Sequence, residues 1–308
     1  NPMMLNDAVW IPAMLRRGYE LPDAREYYNM GCVEMMISAC QPYWQGVGGV
    51  SFPVVLNEVL TTASGQHEAF STFEELFDAY ITAVQVGIRG ALSGADDYIK
   101  RTQGRYYDPF GSVLVRDCLE TGVDLYQGGS RYPVVFGVGG SGLGTAIDSL
   151  SAIKKFVFDE GTIGLNELVE GVHTDFRENE TLRRMLDSQT PCFGNDLAEI
   201  DEMARVILRT YTEAVQALNE EGYPGTFVSS LFSYTSQVSA GERTGATPNG
   251  RRSGAPLSDN AGPTQGKDTG GPTLLLNSMT RLELDKVTGA FAMNVKIGPD
   301  LLRDPKGR

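Results

Sequence analysis

The residues with the clearest potential for chemistry are a thiol and a carboxylate near the start of the chain. Cys32 is followed two residues later by Glu34, and Gly31 precedes the thiol. In an extended segment, residues i and i+2 point to the same side and lie about 7 Å apart. Both side chains would then face one cavity, which pairs a nucleophilic or hydrogen-atom centre with an acid/base group. The alternative is a buried cysteine beside a surface glutamate.

Composition limits the classes of protein to consider. The 308 residues are 41% hydrophobic and 21% charged, as in a soluble globular protein that buries a sizeable core. A formal net charge of −13 disfavours binding to nucleic acid or to an anionic membrane surface. The sequence has neither a run of 18 apolar residues nor a signal peptide, so we expect a cytoplasmic protein.

The cysteines and histidines argue against a metal centre. The four cysteines lie far apart, without a C-x-x-C pair, which is neither a disulfide framework nor a zinc site. With only two histidines in the chain, a multi-histidine metal site is nearly excluded. We expect Cys40, Cys118 and Cys192 to be unbonded to one another and free of metal.

Hydrophobic spacing and capping signals predict an α/β protein, because helices and strands roughly alternate. Pro12 should kink or split the first helix, and Ser71 with Glu74 resembles a capping box. Helices are predicted over 3–18, 52–60, 73–91, 146–158, 165–172 and 197–220. Extended segments are predicted over 27–34, 134–136, 228–238, 274–276 and 290–296, with loops over 41–51 and 241–272.

A glycine cluster follows the extended segment at 134–136. Gly137, Gly139 and Gly142 have the spacing of a dinucleotide fingerprint, and Asp159 lies 17 residues further on. No clear second strand carries that acid, and the fingerprint normally opens a domain. A tight turn from strand to helix is therefore the favoured interpretation.

Two further motifs have both a structural and a functional interpretation. Asn195 and Asp196 stand immediately before a helical pattern and resemble a helix cap. Arg251 and Arg252 follow a turn and could bind a carboxylate or a phosphate. The alternative for the arginines is a buried loop held by its own ion pairs.

Three residues are candidates for a substrate pocket. Tyr43 and Trp44 follow the Cys32 motif closely and could form an aromatic wall, although ordinary packing is the simpler account. His67 lies in a loop sequence, where a histidine is usually solvated. We carry all three forward as candidate substrate-binding residues.

Six motifs occur in one order along the chain. They are G-C-V-E at 31–34, D-C-L-E-T-G-V-D with G-G-S-R-Y at 117–132, D-S-L-S-A-I-K-K at 148–155, F-G-N-D at 193–196, G-A-T-P-N-G-R-R at 245–252, and the S-D, G-P-T and L-N-S sequences between 258 and 278. Together they resemble the pyruvate formate-lyase-like family of glycyl radical enzymes over nearly the whole chain. The resemblance also removes the dinucleotide interpretation, because the glycine cluster falls at a turn of that family.

The resemblance implies a ten-stranded α/β barrel built from two five-stranded halves. In that fold a cysteine loop lies inside the barrel, tip to tip with a C-terminal glycine loop. The sequence lacks the family's R-V-x-G-Y glycine stretch and its long N-terminal half. Residues 1–308 are therefore predicted to form one partial barrel domain, the second part only, without the glycine loop. We expect this chain alone to be inactive and to expose strand edges.

The resemblance also implies a radical mechanism. Cys32 would carry a thiyl radical that abstracts hydrogen, and Glu34 would act as acid/base to eliminate water, amine or sulfite from a small hydroxylated or quaternary-ammonium substrate. Met35 replaces the proline that usually follows in the family's eliminases. One alternative is an arylacetate-type decarboxylase of the same family. The other is an inactive partial homologue or interaction module.

The cofactor and partners follow from the same resemblance. No cofactor is expected to bind to this chain. A glycyl radical on a C-terminal glycine outside it would be installed by an activating enzyme that uses S-adenosylmethionine and an iron–sulfur cluster. The full-length protein is expected to be a homodimer.

Overall fold

The computed structural model describes residues 7–63, 70–295 and 297, and it confirms the α/β class. The strands are β1 (Tyr27–Met30), β2 (Glu34–Ile37), β3 (Gln45–Ser51), β4 (Val134–Ser141) and β5 (Gly225–Ser230). The helices are α1 (Asp7–Arg16), α2 (Leu21–Ala24), α3 (Phe52–Ala63), α4 (Phe73–Ile88), α5 (Gly90–Thr102), α6 (Pro109–Ser112), α7 (Cys118–Thr121), α8 (Leu143–Ile153), α9 (Leu165–His173), α10 (Glu180–Gln189), α11 (Ala198–Ala217), α12 (Ser236–Glu242) and α13 (Pro272–Thr280).

A parallel sheet in the order β3-β4-β5 forms the centre of the fold. The segment after Val287 extends the sheet next to β5. The Gly289 N–H donates to the Ser229 carbonyl at 2.8 Å, and the Leu231 N–H donates to the Ala290 carbonyl at 2.8 Å. The strand predicted over 290–296 is present in the described residues only as a bridge between Leu231 and Phe291.

Glycines allow the strands and their covering side chains to approach closely. A Cβ at Gly49 would lie 1.9 Å from the carbonyl oxygen of Gly139 on the neighbouring strand. A Cβ at Gly137 would lie 1.8 Å from the Trp44 ring. Gly142 has a φ of +71° and forms the turn from β4 into α8. Gly142 therefore makes the tight strand-to-helix turn favoured from the sequence, whereas Gly137 and Gly139 lie within β4 itself.

The large core, called here the sheet core, lies between the parallel sheet and the helices α3, α4, α5, α8 and α11. Phe136 and Phe227 from adjacent strands pack with ring centroids 5.2 Å apart. Tyr211 of α11 is fully buried, and its hydroxyl donates to the Val138 carbonyl at 2.5 Å and accepts from the Ser230 N–H at 2.8 Å. These bonds attach the longest helix to the middle of the sheet.

Residues 7–41 form a separate substructure, called here the hairpin unit. The strands β1 and β2 pair antiparallel, with Met30 opposite Glu34. A second apolar cluster covers this hairpin. Its members are Trp10, Met14, Tyr19, Ala24, Met35, Ile37, Cys40 and Tyr132.

Several local predictions are wrong in ways that have physical causes. Residues 274–276 belong to α13, because Pro272 occupies a first-turn helical position where its missing N–H costs nothing. Residues 45–51 are a strand although their glycines suggested a loop. Thr72, rather than Ser71, caps α4 by accepting from the Glu75 N–H at 3.2 Å. The first helix is not split at Pro12, because α1 continues through it, so that of the two expected outcomes the split is wrong.

Candidate active site

Cys32 lies at the tip of the hairpin between β1 and β2. Gly31 has a φ of +65°, a left-handed conformation that glycine adopts without strain and that starts the turn. The Cys32 side chain is exposed. The expected position inside a cavity is therefore wrong for the chain as described. Cys32 lies in the turn and Glu34 begins β2, so the two residues do not share one extended segment.

The Glu34 carboxylate nevertheless lies next to Cys32. Its Oε2 accepts the backbone N–H of Cys32 at 3.1 Å and that of Val33 at 3.0 Å. A Cβ at Gly31 would stand 3.3 Å from the same oxygen, so glycine leaves room for the carboxylate. Glu34 therefore closes the turn that presents the thiol.

Asn29 holds the same turn from the other strand. Its side-chain amide donates to the carbonyl of Cys32 at 2.9 Å and to that of Gly31 at 3.3 Å. Nothing in the sequence singled out this asparagine, because a lone asparagine at the end of a strand carries no motif.

A buried carboxylate joins the hairpin unit to a distant part of the chain. Asp23 is 4% exposed and accepts the Tyr132 hydroxyl at 2.7 Å. Arg116 donates to its Oδ1 at 2.9 Å, and Arg131 donates to its Oδ2 at 3.2 Å. The Tyr132 hydrogen bond, reinforced by Arg131 and Arg116, lowers the pKa of Asp23 against the opposing effect of burial.

Backbone bonds strengthen this connection next to the hairpin. The Arg116 N–H donates to the Ala39 carbonyl at 2.8 Å, and the Tyr132 N–H donates to the Cys40 carbonyl at 2.9 Å. Tyr19 stacks on Tyr132 with centroids 4.1 Å apart. The G-G-S-R-Y motif therefore serves to place the segment that follows β2.

The four cysteines form no disulfide in the described structure, and they differ in accessibility. Cys40, Cys118 and Cys192 are buried, whereas Cys32 is exposed. Burial is the main cause that raises the pKa of each of the three buried thiols. Of the four, Cys32 is therefore the one that can meet a molecule from outside.

The structure describes two of the three candidate substrate-binding residues. Tyr43 is exposed, whereas the Trp44 ring covers Gly137 in the sheet and so has a packing role. His67 lies outside the described residues. A contact of any of them with substrate remains a prediction.

The two remaining motifs hold loops. The Asn195 side chain bonds the carbonyls of Cys192 and Lys267 at 3.0 and 2.8 Å. Asp196 pairs with Arg281 at 2.5 Å. The predicted cap is wrong, because Leu197 precedes α11 without a side-chain capping bond.

Both arginines of the G-A-T-P-N-G-R-R motif are occupied within the protein. Arg251 donates to backbone carbonyls, among them those of Gly245 at 2.7 Å and Gly241 at 3.0 Å, and burial lowers its pKa to about 10. Arg252 pairs with Asp175 and Glu180. The motif is therefore a loop held by Arg251 bonds to nearby backbone carbonyls and by Arg252 ion pairs to a distant part of the chain.

A crevice of about 500 Å³ lies at the carboxyl ends of β3 and β4. Ser51, Ser141, Ser233, Arg243 and Thr244 are among its lining residues, and the Ser51 Oγ is buried without a hydrogen-bond partner in the described part of the chain. Ligands of parallel α/β sheets commonly bind at this end of the strands. The sequence analysis missed this crevice, since its serines belong to no motif.

Comparison with known proteins identifies the family. The family described as "Pyruvate formate lyase-like" matches residues 1–241. The chain is 30% identical to the probable dehydratase YbiW of Escherichia coli, over 98% of this chain and 40% of that protein. It is also 30% identical to an isethionate sulfite-lyase of Nitratidesulfovibrio vulgaris, over 99% of this chain and 39% of that protein.

The fold agrees with this match. The glycerol-bound form of the B12-independent glycerol dehydratase from Clostridium butyricum superposes with a TM-score of 0.86 and 31% identity. The superposition covers 98% of this chain and 39% of that enzyme. The chain belongs to the pyruvate formate-lyase-like family of glycyl radical enzymes, which confirms the predicted family and fold. It spans about two fifths of the length of the relatives it matches.

None of the helices in the described ranges combines the length and apolar character needed to cross a membrane.

Proposed function

We propose that this chain supplies the cysteine hairpin of a glycyl radical lyase that eliminates water, amine or sulfite from a small hydroxylated or quaternary-ammonium substrate. The observation that carries the proposal is the Cys32 turn, in which an accessible thiol and a carboxylate share one hairpin tip. Relatives named as a dehydratase and a sulfite-lyase favour elimination over decarboxylation.

Cys32 would first give its thiol hydrogen atom to a glycyl radical on a glycine outside this chain. The Cys32 sulfur would then take a hydrogen atom from a substrate carbon, so that one S–H bond forms as one C–H bond breaks. After elimination, the carbon radical of the product would take a hydrogen atom from the Cys32 thiol. This step regenerates the Cys32 thiyl radical, which would take back a hydrogen atom from the glycine or start another turnover.

Glu34 would move the proton that elimination requires. Its carboxylate would accept a proton from a substrate hydroxyl, whose oxygen becomes the carbonyl oxygen of the product, and would deliver that proton to the leaving group, which departs as water, amine or sulfite. The Oε2 atom is engaged by the N–H groups of Cys32 and Val33, which leaves Oε1 as the oxygen to face substrate.

The exposure of Cys32 fits a site completed by another part of a longer protein. A carbon radical requires a site that excludes water and competing reactants. We propose that the part of the protein outside this chain covers the hairpin tip. An activating enzyme that uses S-adenosylmethionine and an iron–sulfur cluster would install the radical, and the whole protein would act as a homodimer.

The test uses the whole protein with its activating enzyme under anoxic conditions. Glycerol, isethionate, choline and 4-hydroxyphenylacetate distinguish dehydration, C–S cleavage, C–N cleavage and decarboxylation. Cys32→Ser should retain the glycyl radical signal in electron paramagnetic resonance and lose turnover. Cys118→Ser, which changes a buried cysteine outside the hairpin, should retain both.

Each other outcome identifies a failure. Comparable turnover by Cys32→Ser would refute the radical relay. Turnover of 4-hydroxyphenylacetate and of none of the other three compounds would show that the reaction is decarboxylation and not elimination. Absence of a radical in the activated wild-type protein would favour an inactive homologue or interaction module.

A further inference from the structure

Two side chains, one from each strand, bind the backbone of the Cys32 turn. Asn29 on β1 donates to the carbonyl oxygens of Cys32 and Gly31, at 2.9 and 3.3 Å. Glu34 on β2 accepts the N–H groups of Cys32 and Val33, at 3.1 and 3.0 Å. Both backbone polar groups of Cys32 are therefore held by side chains of its own hairpin.

We propose that Asn29 is a positioning residue for Cys32 and that Asn29 and Glu34 together form a clamp that fixes the direction of the thiol. The peptide groups on either side of Cys32 set its φ and ψ, and these set the direction of its Cα–Cβ bond. A hydrogen-atom transfer needs the reacting atoms about 3–3.5 Å apart. A turn that moves by 1 Å would lose much of that geometry.

Packing does not provide this restraint. Gly31 and Cys32 are exposed, and the apolar cluster of the hairpin unit begins only at Met35 on β2. Besides the strand pairing of Met30 with Glu34, the four bonds of Asn29 and Glu34 are the contacts described at the tip that restrain the backbone of residues 31–33. Since a carboxylate is a stronger acceptor than a neutral amide oxygen, Glu34 is well suited to hold two N–H groups.

The proposal gives Glu34 two roles that substitution can separate. In Glu34→Gln the amide oxygen still accepts the two N–H groups, so the clamp should remain while acid/base chemistry is lost. In Glu34→Ala both are lost. The catalytic value of the clamp rests on the proposed function, but the clamp itself can be measured without it.

The first experiment measures amide hydrogen exchange by NMR on the 308-residue chain. Glu34→Ala should exchange about 10-fold faster at the Cys32 and Val33 amides, because each loses its acceptor. Glu34→Gln should stay within about 2-fold of wild type. Asn29→Ala should also accelerate exchange at Cys32, by about 5- to 10-fold, because without its bonds to the Cys32 and Gly31 carbonyls the turn no longer holds the Cys32 N–H against Glu34. Asn277→Ala, whose amide bonds Asp196 elsewhere, should leave these amides unchanged.

The second experiment measures turnover in the activated whole protein. Asn29→Ala should lower kcat by about 100-fold, with KM and radical content unchanged, because the thiol is misplaced while its chemistry is intact. Unchanged exchange in both Asn29→Ala and Glu34→Ala would refute the clamp. Faster exchange with normal kcat would refute the positioning role. Failure of the proposed function would appear separately, as turnover in Cys32→Ser with the exchange results unaffected.

Discussion

The sheet core packs large rings against glycines, whereas the hairpin unit joins distant segments through a buried carboxylate. In the sheet core, Phe136, Phe227 and the Tyr211 ring fill the space between strands and helices. In the hairpin unit, Asp23 collects bonds from side chains 93 to 109 residues away in sequence. The apolar cluster there is much smaller than the sheet core.

This difference indicates how each region responds to change. Close packing resists small increases in volume but is largely indifferent to salt and pH. A charged network responds to protonation and to the loss of one partner. The catalytic candidate Cys32 lies in the region held by polar bonds, so its position should be adjustable without loss of the sheet.

Each region contains one of the two tryptophans of the chain. Trp10 belongs to the cluster of the hairpin unit, and Trp44 covers Gly137 in the sheet. In Trp44→Phe, fluorescence reports the hairpin unit alone, and in Trp10→Phe it reports the sheet.

The largest effect is expected from Gly49→Ala in the sheet. Its Cβ would stand 1.9 Å from the Gly139 carbonyl oxygen, so two strands must separate. The free energy of unfolding should fall by about 3 kcal/mol or more, measured by urea unfolding with circular dichroism. Gly90→Ala, whose Cβ meets nothing within 4 Å at the start of α5, is the control and should not lower it. Equal effects would contradict the account of the sheet.

The sequence predicted the regions of the fold whose determinants are local. The amphipathic pattern of 197–220 corresponds to α11 and the short 3₁₀ turn that follows it. The sequence predicts a loop at β3 because glycines have low strand propensity, whereas the structure shows that close strand approach requires Gly49. The extended segment predicted at Cys32 is wrong because Gly31 can adopt either an extended or a left-handed conformation, and in the structure it is left-handed. The Asp23 network could not be foreseen, since no local pattern links residues so far apart.

A smaller effect, confined to the hairpin unit, is expected from Asp23→Asn. The change leaves Arg116 and Arg131 without the carboxylate and should destabilise this unit by about 1–3 kcal/mol, seen in Trp10 fluorescence of the Trp44→Phe chain. Trp44 fluorescence in the Trp10→Phe chain should report an unchanged sheet.

The same carboxylate gives the hairpin unit an acid sensitivity. Since its bonds lower the pKa of Asp23 in the folded chain, its stabilisation is complete above the unfolded value of 3.8 and is lost as pH falls through the lower folded value. The Trp10 signal should therefore change below about pH 4, and Asp23→Asn should remove that change. A pH response that persists in Asp23→Asn would assign it to another group.

Asp148→Asn in the sheet core is expected to stabilise the chain by about as much as Asp23→Asn destabilises the hairpin unit. Asp148 is fully buried in α8, and its Oδ1 accepts the Phe193 N–H at 2.8 Å. Burial raises its pKa to about 6, so this group favours folding below pH 3.8 and the benefit is lost as pH rises through about 6. At pH 7 the substitution should raise the free energy of unfolding by about 1–3 kcal/mol and keep the bond to Phe193.

The control for this core carboxylate is Asp285→Asn, which changes an exposed side chain and should have no measurable effect. If Asp148→Asn lowers stability at pH 7, the buried carboxylate is a net stabilising group. The sheet core would then also depend on a buried charge, as the hairpin unit does.

The smallest effect is expected from Arg89→Ala. This substitution tests whether the stabilisation from an ion pair depends on the burial of the pair. Arg89 pairs with Glu221 at 3.4 Å, and their side chains are 68% and 40% exposed. Water and salt screen such a pair, so the free energy of unfolding should change by less than about 0.5 kcal/mol in the urea titration. Arg131→Ala removes one arginine as well, but it leaves the buried Asp23 with one fewer donor, and the Trp10 signal should show a clear loss of stability in the hairpin unit. Equal responses to the two substitutions would mean that the burial of Asp23 does not distinguish the hairpin unit from the surface.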